Sequence, residues 1–144
     1  MISASWSIEV ARPPEEAFDF VSDLSNEPKF NPDASNVVKQ SDGLIGLGTV
    51  YTEDVKRVGA FTTTIDRFER PRDLGFDARN PKCDALVRFS FAPAAEGSTT
   101  VGCTVELTFK GAMKFMGGMM SGTIRKEIEE KRGPMLKAAL ESPS

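Results

Sequence analysis

The 144-residue chain has no histidine and two cysteines, Cys83 and Cys103. Acid–base chemistry near neutral pH would therefore fall to carboxylates, lysines or the single tyrosine, Tyr51. Tyr51, Glu53 and Val55 alternate along one stretch and share one face if it is a strand. Should that face be concave, Tyr51 and Glu53 would look into the interior, where burial would raise the glutamate pKa and suit it to acid–base work. Arg67 and Arg88 would polarise a ketone oxygen if they too point inward. The plainer reading makes Glu53 and Arg88 exposed strand residues and Asp23 a helix cap.

Three methionines form the other notable group. In K-F-M-G-G-M-M-S-G (114–122), Met116, Met119 and Met120 fall within one and a half helical turns. Flexible, polarizable side chains of this kind suit either a pocket for varied ligands or ordinary core filling. Gly117, Gly118 and Gly122 lower helix stability there by roughly 1 kcal/mol each relative to alanine. They suggest a loose first turn that gates a ligand. The glycines of G-L-I-G-L-G (43–48) have the wrong spacing for a dinucleotide fingerprint and read as a hairpin.

Composition narrows the classes. Hydrophobic residues make up 40% and charged residues 27%, with a net charge of −3, as in an ordinary globular chain. There is no basic stripe to neutralise phosphates, so a nucleic-acid partner is not expected. Two cysteines without histidine cannot supply the usual zinc ligands, and no metal or cofactor is expected. No disulfide should be required. M-I-S-A-S-W-S-I-E-V lacks the basic start of a signal peptide, and no apolar run spans a membrane. The expected location is cytoplasmic.

The elements that must position these residues are legible in the periodicity. Ile2, Ala4, Trp6, Ile8 and Val10 alternate with polar residues as in a half-buried strand. Pro13-Pro14-Glu15-Glu16 opens a helix, and a second short helix ends near Phe30–Pro32. Strand patterns follow near 35–40, 48–57, 61–69, 73–79, 85–92 and 99–109, with turn residues between them, as in an antiparallel meander. A final helix is expected over 112–132, with Gly133-Pro134 kinking or breaking it.

This order of elements resembles the START-like (SRPBCC) superfamily. So do the motifs A-F-D-F-V-S-D-L-S-N-E-P-K-F-N-P (17–32), G-L-G-T-V-Y (46–51) and I-D-R-F-E-R-P-R-D-L-G-F (65–76). Within it, the chain looks like the polyketide cyclase/dehydrase and lipid-transport group. The resemblance implies an α+β helix-grip fold: a curved antiparallel sheet of about seven strands wrapped around a long C-terminal helix, with two short helices after strand 1. One ligand-binding domain over 1–141 is expected, with 142–144 as a tail.

The resemblance also implies an internal cavity for an apolar small molecule. Residues expected to contribute to it are Phe20, Phe30, Tyr51, Glu53, Ile65 and Phe76 from the first half of the chain. Phe89, Phe91, Val105, Phe115, Met116, Met119 and Met120 complete the set. Binding or carriage of a lipid, isoprenoid or polyketide-like compound is the first functional expectation. A cyclase/dehydratase using the same cavity is the second, with Tyr51, Glu53, Arg67 and Arg88 as its catalytic candidates, and an interaction protein without a ligand is the third. The protein would be a monomer or a homodimer.

Overall fold

Strand β1, Ile2–Val10, turns Ile2, Ala4, Trp6 and Val10 inward in the computed structural model, which describes residues 1–142. The tail expected at 142–144 thus lies outside the described residues except for Ser142. Helix α1, Pro14–Ser22, begins on Pro13 in extended backbone and carries Glu15 and Glu16 in its first turn, where the helix dipole favours acid. It buries Ala17, Phe18 and Val21. A 3-10 helix, Leu24–Lys29, follows, and the Asp23 carboxylate accepts from the Ser25 N–H at 3.2 Å. Asp23 is therefore a cap.

Six further strands form the meander: β2 Ala34–Lys39, β3 Val50–Val55, β4 Gly59–Glu69, β5 Asp73–Arg79, β6 Cys83–Pro93 and β7 Thr99–Phe109. All neighbours are antiparallel, in the order β1-β7-β6-β5-β4-β3-β2. Bulges interrupt the β2–β3 register between Ser35 and Val38, and the β4–β5 register between Ile65 and Arg67. Such an insertion bends a strand and increases its twist, which helps a sheet curl.

Helix α2 runs unbroken from Met113 to Glu141, so Gly133-Pro134 neither breaks nor ends it. Packing on both sides of the pair overrides the proline's lost hydrogen bond. Ile128, Leu136 and Leu140 are buried in the main core, while Pro134 itself is exposed. A Cβ on Gly133 would come within 3.2 Å of the Trp6 indole, so the bare backbone lets α2 seat closely on β1. Polar side chains of α2 also serve the open edge of β1. Glu129 accepts from Ser5 N–H, Glu141 accepts from Ala11 N–H, and Lys137 donates to the Glu9 carbonyl. No helix among the described residues is long and apolar enough to cross a membrane.

Candidate functional site

The core is solid at one end and open at the other. Phe18, Phe68 and Phe91 pack edge to face beneath α1, at centroid separations of 5.0 and 5.3 Å. Phe89 stacks on Phe91 and meets Trp6 and Phe76 edge-on, forming the floor where solid packing stops. Beyond it lies a cavity of about 270 Å³ between the inner face of the sheet, the 3-10 helix and the first five turns of α2.

Most of its wall is apolar. Phe30, Phe76, Phe89 and Val105, expected from the sequence, line it, and so does Glu53. Met116 and Met120 stand at its rim, 50% and 37% exposed. Trp6, Phe61, Phe109, Cys83 and Cys103 also belong to the wall. Both cysteines are free, and burial pushes both thiols above their ordinary pKa.

Several expected residues lie elsewhere. Tyr51 and Ile65 are fully buried within solid packing, and the Tyr51 hydroxyl donates to the Ser22 carbonyl at 3.3 Å. Burial raises the Tyr51 pKa, so it is a neutral structural phenol rather than an acid facing the cavity. Phe91 belongs to the phenylalanine cluster under α1. Phe20 faces an open surface trough, with the Lys29 ammonium 5.6 Å from its ring centroid. Phe115 and Met119 point away from the cavity, at 80% and 77% exposure.

Neither Arg67 nor Arg88 faces the cavity. Val87 and Phe89 turn inward, so Arg88 between them turns outward. It makes a bidentate pair with Asp66 at 2.8 and 2.9 Å, passing over Gly75. Arg67 has the strand parity of the buried Ile65, but the bulge between them turns it outward, where it is exposed and pairs with Glu69 and Asp73.

Glu53 departs from its plainer reading as an exposed residue. It lies on the inner face of β3 opposite Phe61 and is only 6% exposed. Thr63 Oγ1 donates to its Oε1 at 3.3 Å, while Oε2 is buried without a partner. Beside it stands Glu27 from the 3-10 helix. Asn31 Nδ2 donates to Glu27 Oε2 at 3.2 Å, and Glu27 Oε1 is also buried without a partner. Burial first, then the hydrogen bond and charge of Glu27, push the Glu53 pKa well above the ordinary carboxylate range; the Thr63 hydroxyl opposes this more weakly. Glu53 is thus a carboxylic acid, not a carboxylate, at neutral pH. Two carboxyl groups this close hold one proton between them, the arrangement in which a single pair is both acid and base.

Sequence reasoning missed Glu27 and Arg132, which also lines the cavity. Arg132 had a signal: Met120, Ile124, Ile128 and Arg132 recur every four residues and form one ridge of α2. Glu27 had none, because a six-residue 3-10 helix has too few residues for a periodic face.

No curated protein sequence matches the chain. The START superfamily protein from Mycobacterium smegmatis superposes with a TM-score of 0.73 at 19% identity, covering 98% of both chains. A truncated norcoclaurine synthase from Thalictrum flavum gives 0.71 at 12% identity, over 99% of this chain and 94% of that one. A conserved protein from Geobacillus kaustophilus gives 0.68 at 18%, over 96% and 95%. These likenesses establish the helix-grip fold. The sequence profile for polyketide cyclase/dehydrase and lipid transport proteins matches residues 1–141, and the chain therefore belongs to that family.

Proposed function

We propose that this protein binds or carries a mostly apolar small molecule, a lipid, isoprenoid or polyketide-like compound, in the cavity beneath the first half of α2. One observation carries the reading: a cavity of about 270 Å³ whose wall is dominated by aromatic and aliphatic side chains, with few converging polar groups. That volume suits a bicyclic compound or one section of a longer chain. Residues 1–141 act as one ligand-binding domain, and the cytoplasm is the compartment in which its buried, unpaired thiols persist.

The test combines native mass spectrometry with a cavity-filling variant. The purified protein should carry or take up one apolar molecule. Ala85→Phe, which adds a ring to the cavity wall, should abolish uptake while the denaturation midpoint changes little. In a filled core the same change would cost about 1–3 kcal/mol by overpacking. A large loss of stability, with uptake absent in the parent protein, would remove the reading.

A second reading, a cyclase/dehydratase, is favoured by Glu53. A carboxylic acid that stays neutral in an apolar pocket can donate a hydrogen bond to a substrate carbonyl as charge develops on it. The neighbouring norcoclaurine synthase is named as an enzyme, so this fold accommodates catalysis. The third reading, a protein-interaction module, gains less, because an open cavity is not what a partner-binding surface requires.

A further inference from the structure

The acidic pair has more acceptors than its neighbouring residues supply donors for. Four carboxylate oxygens meet there, and the protein supplies two donors to them, Thr63 Oγ1 and Asn31 Nδ2. Glu53 Oε2 and Glu27 Oε1 are left, both buried and without a donor from any other residue, so only the proton that the pair holds links them; Glu53 lines the cavity and is more than nine-tenths buried. Neither glutamate forms an ion pair among the described residues. A buried acceptor without a donor costs free energy, and a buried carboxylate without a cation costs more. A ligand ketone or carboxylate would add acceptors to this surplus, whereas an ammonium group brings up to three N–H donors and the missing positive charge.

Resting on the cavity reading above, we propose that Glu27 and Glu53 form the head-group site for a lipophilic primary amine whose hydrocarbon part fills the apolar cavity. The ammonium takes the place of the proton that the pair holds when the cavity is free. That proton passes to solvent, so both glutamates are ionised in the complex and binding releases it to the buffer. Affinity should therefore rise with pH until the amine itself loses its proton. Other charged groups on the cavity wall are Asp33, Lys56 and Arg57 near its mouth, and Glu127 and Arg132 on α2. Arg132 is the rival anchor, since it makes no ion pair among the described residues and would favour an anion. It stands on the α2 wall near Cys103 of β7, four strand steps from Glu53 on β3, with β6, β5 and β4 between. At the spacing of adjacent strands that is about 19 Å along the sheet surface.

Three probes of one shape separate these possibilities: 1-naphthylmethylamine, 1-naphthylmethanol and 1-naphthoic acid. Titration calorimetry of the whole protein, in phosphate and in Tris at pH 7.5, gives affinity and proton balance together. The amine should bind roughly tenfold or more tightly than the alcohol. It should release about one proton per complex. Glu53→Gln and Glu27→Gln should each remove that advantage and the proton release while sparing the alcohol. Equal binding of amine and alcohol, preference for the acid, or an amine advantage that survives both variants would overturn the head-group proposal and leave the cavity reading standing. If none of the three probes binds, both fall. Each Gln variant keeps the shape of the side chain and removes a buried charge, so loss of folding is not the expected confounder; the alcohol's affinity verifies that the cavity is intact.

Discussion

The two ends of α2 are built from similar residues and treated oppositely. The C-terminal part buries Ile128, Leu136 and Leu140, presses Gly133 against Trp6, ties Glu129 and Lys137 to the β1 backbone and ties Glu141 to Ala11 just after it. The N-terminal part leaves Phe115 and Met119 almost wholly exposed, and it roofs an empty space with Met116 and Met120. Hydrophobicity does not separate the two parts; what lies beneath each does. One end faces edge strand β1 and closes a solid core, while the other spans a gap that a single helix, about 10 Å wide, does not fill. In this protein, anchorage and access are divided along one helix.

Breaking the anchored end should have the largest effect. Leu136 is fully buried in the main cluster, so Leu136→Ala should cost about 2–5 kcal/mol in urea denaturation. Gly133→Val should come next, at about 1–3 kcal/mol, because a branched side chain would have to displace the Trp6 indole.

The acidic pair sharpens the comparison through pH. The folded-state pKa of Glu53 is raised, so the protonated form is the one that folding favours. That contribution is fully present below its ordinary value of 4.5 and is lost progressively as pH rises toward the raised value. The parent protein should thus lose stability between pH 5 and pH 8 relative to Glu53→Gln. At pH 8 the variant should be the more stable by roughly 1–3 kcal/mol, the range for relieving an unsatisfied buried polar group. A difference that does not grow with pH would contradict this assignment.

The smallest effect is expected at the exposed end. Met119→Ala should change stability by less than about 0.5 kcal/mol, and Met119→Trp should leave probe binding unchanged. Its side chain points to solvent rather than into the cavity.

These contrasts also show what a one-dimensional pattern can carry. Strand alternation is rigid, with period two, so the inward set Val87, Phe89 and Val105 and the grouping of Tyr51, Glu53 and Val55 on one face could be read directly. Whether that face was wet or buried could not, since it depends on what the 3-10 helix lays over β3. Tyr51 and Glu53 share the face, yet one is sealed under Ser22 and the other opens on the cavity. On the helix, each step turns the side chain by about 100°. Met116 and Met120 therefore fall on the ridge with Ile124, while Met119 falls off it; the methionine run announced a face but not its rotation. Pro134 carried a breaking signal that Leu136 and Leu140 override by tertiary packing. Glu27 became half of the site only through a fold that set a short 3-10 segment beside a strand.

The most direct test of the account uses the methionine methyl groups as reporters. With 13C-methyl methionine and 1-naphthylmethanol as titrant, the methyl resonances of Met113, Met116 and Met120, which line the cavity, should shift in a saturable manner. Those of Met1 and Met119 should stay in place. Shifts confined to Met119, or the absence of any saturable shift at Met116 and Met120, would contradict the claim that ligand enters beneath the first half of α2.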